Sequence, residues 1–189
     1  TTSAPAAATK RKWFPVATPL QDRASQALGR ALYEATLEGD LAGMTELIRS
    51  GADVNASLDG DGSPLIGAVR SGSERAVRLL LGHGADPNLG VPGDGSPLIN
   101  AAAIGRIELV SLLLDRGARV DGAVPGDENP LIQAAGEGHL DVVRLLVERG
   151  ADVNARVLSG LDYETGRQEV RTPLLVARRG GHDAVVAFL

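Results

Sequence analysis

Residues 129–154 read NPLIQAAGEGHLDVVRLLVERGADVN, and weaker copies of this phrase precede it at a fixed distance: the closing glycines Gly51, Gly84, Gly117 and Gly150 stand 33 residues apart. Three copies end in Gly-Ala-Asp-x-Asn, at Gly51–Asn55, Gly84–Asn88 and Gly150–Asn154, while Gly117-Ala118-Arg119-Val120-Asp121 diverges. A second glycine series, Gly39, Gly72, Gly105 and Gly138, keeps the same interval. A strict period of this length is the signature of stacked helical repeats, in which each unit buries its apolar face only against its neighbours.

The residues around the glycines define each unit. Ser63-Pro64-Leu65, Ser96-Pro97-Leu98, Asn129-Pro130-Leu131 and Thr172-Pro173-Leu174 set a hydrogen-bonding side chain directly before proline. That pattern predicts a helix start, because the side-chain oxygen accepts from an orphan N–H and proline at the first helical position forfeits no bond. Gly72, Gly105, Gly138 or Gly181 stops this short helix by taking the left-handed conformation. A second helix follows, with apolar residues at helical spacing in Ala76–Leu81, Leu109–Leu114 and Val142–Val147. Turn-rich fingers such as Val91-Pro92-Gly93-Asp94-Gly95 join one unit to the next. Ala68, Ala101, Ala134 and Ala177, with Ala35 in a degenerate first unit, are small enough for first helices to approach closely.

These residues resemble the ankyrin repeat family, whose pattern T-P-L-H-x-A-A-x-x-G-H-L-E-V-V-x-L-L-L-x-x-G-A-D-V-N is matched best by Asn129 to Asn154 and, more loosely, from about residue 28 to the end. The resemblance implies an all-α solenoid of stacked helix-turn-helix units with hairpin-like fingers. A tail or linker would occupy residues 1–22, and the repeat domain 23–189, in units of about 28–58, 59–91, 92–124, 125–157 and 158–189. The chain departs from the pattern twice. Ile66, Ile99, Ile132 and Leu175 replace its histidine, removing that residue's cross-repeat hydrogen bonds. Leu58, Val91 and Val124 replace the aspartate that opens the finger, leaving the turn to Pro-Gly geometry and packing.

Composition narrows the function classes. With 43% apolar residues but one Trp, two Tyr and two Phe among 189, packing falls to Leu, Val, Ile and Ala. There is no cysteine, so disulfides, thiol nucleophiles and cysteine zinc sites are excluded. No apolar run reaches the ~20 residues that span a bilayer, so direct membrane insertion of this segment is not expected. Residues 1–30 carry a balance of +4 and the remainder −9, and an acidic repeat body argues against nucleic acid. No His-Glu-x-x-His, phosphate-cradling loop or Gly-x-Ser-x-Gly motif occurs. His139 and His182 open second helices, where a structural capping role is expected. No catalytic residue, metal ligand or cofactor is assigned, and the chain is read as a non-enzyme.

Recognition is expected from residues that change between units, because solenoid scaffolding uses the invariant ones. Ankyrin proteins generally use fingertips and the exposed side of the first helices. By position these include Asp59, Asp61, Arg70 and Ser71, then Asp94, Ala103 and Ile104, then Asp127, Glu128 and Glu137. Asp61, Asp94 and Asp127 recur at 33-residue spacing, so stacking would line them into an acidic ridge suited to a basic protein or peptide; ordinary turn chemistry favours aspartate there as well. Ile104, where its counterparts are Ser71 and Glu137, is a candidate apolar anchor.

The last unit differs: Pro173 follows Pro130 by 43 residues, so its finger carries a ten-residue insertion containing Tyr163, a candidate contact residue. Leu189 corresponds to Leu146, and exposure of Phe188 or Leu189 at an uncapped end would favour self-association. Lys10-Arg11-Lys12-Trp13-Phe14 joins three positive charges to two aromatics, either folding back along an acidic groove or remaining an unstructured terminus. The Val-Pro-Gly-Asp-x-x-Pro-Leu-Ile fingers also resemble the ankyrin extensions of certain bacterial β-lactam-sensor-like membrane metallopeptidases. Three readings stand open: a protein-binding module, a non-catalytic sensor or docking end of such a protease on the cytoplasmic or periplasmic side, and a homo-oligomerisation module.

Overall fold

The computed structural model of the chain describes residues 20–58, 60–124, 127–161 and 168–189. It comprises α1 (Leu20–Glu38), α2 (Leu41–Arg49), α3 (Pro64–Arg70), α4 (Glu74–Gly82), α5 (Pro97–Ala103), α6 (Ile107–Asp115), α7 (Pro130–Gly136), α8 (Leu140–Glu148), β1 (Val157–Leu161), β2 (Gln168–Arg171), α9 (Pro173–Gly180) and α10 (Asp183–Phe188). Odd-numbered helices form one row and even-numbered helices a second. Each helix packs on its pair-mate and on its counterpart in the next unit.

The expected caps are present. Ser63 Oγ, Ser96 Oγ, Asn129 Oδ1 and Thr172 Oγ1 accept from the backbone N–H of Ile66, Ile99, Ile132 and Leu175 at 2.8–3.3 Å. Gly72, Gly105, Gly138 and Gly181 take φ of +68° to +78° immediately after the first helices, which lets each chain turn sharply into its second helix. Leu65, Leu98 and Leu131 are no more than 1% exposed, and Ala68, Ala101, Ala134 and Ala177 are fully buried in one cluster running from Leu32 to Val185. First helices sit closer to their neighbours than second helices do. This bends the array with the first-helix row on its inner, concave side.

The Gly-Ala-Asp-x-Asn phrase holds neighbouring units together. Asp53 and Asp86 close turns by accepting from Asn55 N and Asn88 N at 2.9 and 2.8 Å. Each asparagine then reaches into the next unit: Asn55 donates to Gly84 O and accepts from Asp86 N, and Asn88 donates to Gly117 O and accepts from Arg119 N. In the divergent copy, Asp121 keeps only the accepting half, from Asp152 N at 3.1 Å; a carboxylate has no N–H to donate.

Three features exceed the sequence reading. Helix α1 starts at Leu20, inside the segment read as tail, and passes close to the first finger at its midpoint, where a Cβ on Gly29 would come within 2.7 Å of Ala56 Cβ. The inserted final finger is a hairpin, not a loop: β1 and β2 pair antiparallel in the register Val157↔Arg171, Leu158↔Val170 and Leu161↔Gln168. At the far end, Phe188 is exposed as expected, but the Arg144 guanidinium stacks 5.4 Å from its ring centroid, and Leu189 is partly buried against the core.

Candidate interaction surface

The fingers are tight turns. In the second, Asp94 N donates to Val91 O at 2.9 Å, and Val91 and Gly95 exchange both backbone bonds. Gly93 has φ +85°, as a type II turn with Pro92 before it requires. Leu58, Val91 and Val124 are buried, so apolar packing stands where the family's aspartate would. A Cβ on Gly90 would come within 2.3 Å of Val124 Cγ2, so successive fingers are in direct contact.

Arg70 clamps two fingers. Its Nε donates to Asn100 Oδ1 at 2.9 Å, and its Nη2 donates to Asp94 Oδ1 at 2.9 Å and Asp94 O at 3.1 Å. Asn100 Nδ2 adds a bond to Asp94 O at 2.7 Å. The Asp94 side chain is left 12% exposed. Asp61 pairs with Arg30 at 3.1 Å, and Asp127 Oδ2 accepts from Gly93 N at 3.1 Å. Each of the three regularly spaced carboxylates is thus held by a group of the chain itself. Glu128 occupies the position of Gly62 and Gly95, where φ is positive; it pairs with Arg171 at the end of β2, and its side chain is 14% exposed.

Other predicted residues are more available. Ser71 is exposed although its Oγ donates to Ala68 O. Ala103 is partly buried, Ile104 is 39% exposed, and Glu137 is exposed. Asp59, Tyr163 and Lys10 to Phe14 lie outside the described residues. The structure adds Leu37, 49% exposed, which stands at the repeat position of Arg70 and Ala103. It also adds Asn100, Arg30 and Arg171, whose roles depend on partners 30 or more residues away. Unit-to-unit variation was the available signal for Asn100, since its counterparts are Gly67 and Gln133.

Two hollows are relevant. One of about 390 Å³ opens between α7 and α9, lined by residues including Gly136, Glu137, Val176 and Arg179. A second of about 530 Å³ lies on the outer row between α4 and α6, beside the Glu74–Arg78 pair and Ile107. Among the described residues no three His, Asp or Glu side chains converge as a metal site would require, and no helix is long and apolar enough to cross a membrane.

Residues 65–157 match the family described as ankyrin repeats, in three copies. Over these residues the chain belongs to the ankyrin repeat family. Such repeats are generally protein–protein interaction modules and typically non-catalytic. The match extends over repeats alone, and no curated protein shows significant similarity to the chain.

Proposed function

We propose that this chain is a non-catalytic docking module that holds a protein partner along its concave face, across fingertips and first helices. One observation carries the reading. At the position shared by Glu38, Ser71, Ile104 and Glu137 every residue differs from the next and all are exposed on the first-helix row, whereas the invariant alanines of that row are buried. Packing therefore does not dictate those side chains, and a partner can. Leu37 and Ile104 supply apolar contacts among polar neighbours. Attraction for a basic partner comes from the acidic repeat body as a whole and from Glu38 and Glu137, because Asp61, Asp94 and Asp127 are engaged internally.

The test is affinity capture with the chain and with a Leu37→Arg/Ile104→Arg variant, after confirming equal thermal stability. Loss of most captured partners on the variant is expected. Equal recovery would count against a concave binding face.

A further inference from the structure

We infer that the hollow between α7 and α9 is an anchor subsite for an extended polypeptide segment, seating a small aliphatic side chain beside a lysine or arginine; this rests on the concave-face reading above. Gly136 is the first indication. It lies in the last turn of α7, and a Cβ there would meet only Val176 Cβ and Cγ2, at an ordinary 3.7 Å, with no positive φ to excuse the glycine. The fold therefore does not require glycine, and glycine is among the poorest residues for a helix. Its counterparts in other units are Leu37, Arg70, Ala103 and Arg179, all larger. What glycine does provide is open space above Val176, in a hollow of about 390 Å³.

Charge selects the occupant. Glu128 in the wall is already paired with Arg171. Glu137, next to Gly136, is exposed and makes no ion pair among the described residues. Arg179, on the other side, has a partner of its own, so Glu137 is the carboxylate that can receive an incoming cation. An aliphatic side chain seats over Gly136 and Val176 while its basic neighbour reaches Glu137. An extended segment suits a shallow open hollow, because it presents successive side chains without needing a deep cleft.

The probe is a displayed library of random heptapeptides selected against the intact chain. Peptides pairing Ala or Val with Lys or Arg should be enriched. Their affinity should fall at least tenfold on Gly136→Leu, which intrudes into the hollow over Val176, and on Glu137→Lys, both checked for an unchanged circular dichroism spectrum and a melting temperature no lower than that of the unaltered chain. Gly136→Ala should fall between wild type and Gly136→Leu. Enriched peptides that ignore Gly136→Leu and Glu137→Lys but are lost on Leu37→Arg/Ile104→Arg would overturn the subsite and leave the concave-face reading standing. Peptides indifferent to all of these variants would overturn both. Failure to enrich any sequence would overturn the subsite alone, since a linear segment is claimed to suffice whereas a folded partner can still use the wider face.

Discussion

The Nε2–H of His182 donates to the carbonyl oxygen of Gly136 at 2.7 Å, so the residue that opens one unit's second helix caps the previous unit's first helix. His139 does the same to Ala103 O at 3.0 Å. Neither ring caps its own helix, whereas Asp40 and Ser73 at the same repeat position do. The capping role expected for these histidines is real but points across the repeat boundary. Orphan carbonyls at a helix C-terminus need such donors.

Replacing His139 or His182 by alanine should therefore lower stability by about 1 kcal/mol each. Gly138→Ala should cost more, at least ~1–2 kcal/mol, because Gly138 has φ +78° and a Cβ would lie 2.4 Å from the His182 ring. Urea unfolding of the three variants reads this directly. A neutral Gly138→Ala would contradict the packing.

Two glycines in equivalent helices should respond oppositely to alanine. Gly67 lies under Tyr33, and a Cβ there would come within 2.7 Å of Tyr33 Cε2 and 3.0 Å of Thr36 Oγ1. Gly67→Ala should destabilise by ~1–3 kcal/mol through overpacking. Gly136→Ala meets only ordinary contact and should stabilise by about 0.5 kcal/mol through helix propensity. Melting temperatures moving in opposite directions is the expected result.

The Arg70–Asp94 pair should show a measurable coupling. Asp94 is nearly covered and Arg70 about one-third exposed, so a double-mutant cycle with Arg70→Ala and Asp94→Ala should return about 1 kcal/mol, only weakly reduced by salt. Glu46–Arg49, both more than 70% exposed, should return close to zero. Lysine at Asp61, Asp94 or Asp127 would break internal bonds as well as reverse charge. Such reversals test finger integrity before they test binding.

Ile104→Asp should leave stability within about 0.5 kcal/mol, as expected of an exposed position with no buried partner. It should nevertheless weaken partner capture severalfold if the concave face is the contact surface. Parallel thermal melts and captures separate the two effects.

The fold was legible in the sequence because it is local and repeated. Ser96-Pro97-Leu98 announces a cap, a helix start and a core leucine within three residues, and Gly105 announces the stop. The repetition then multiplies a weak local signal into a strong one. The surface was only partly legible. Ser71, Ile104 and Glu137 were found as variable positions, but nothing in the spacing of Asp94 foretells that Arg70, 24 residues earlier, neutralises it. The insertion around Tyr163 reads as a loop because its strands carry no clean alternation; Val157↔Arg171 and Leu158↔Val170 become a ladder only when the chain doubles back.

By itself, the amino-acid order determined the two-helix unit, its period and its buried leucine and alanine faces, since caps, left-handed glycines and helical periodicity act over a few residues. Tertiary stacking alone decided which charges remain free. Each finger comes to rest against the next, so a carboxylate such as Asp94 or Asp127 meets its arginine or backbone N–H from another unit, while Glu137 meets none among the described residues. Hydrogen bonds and ion pairs depend on distances of about 3 Å, and only the packed array brings residues of different units that close.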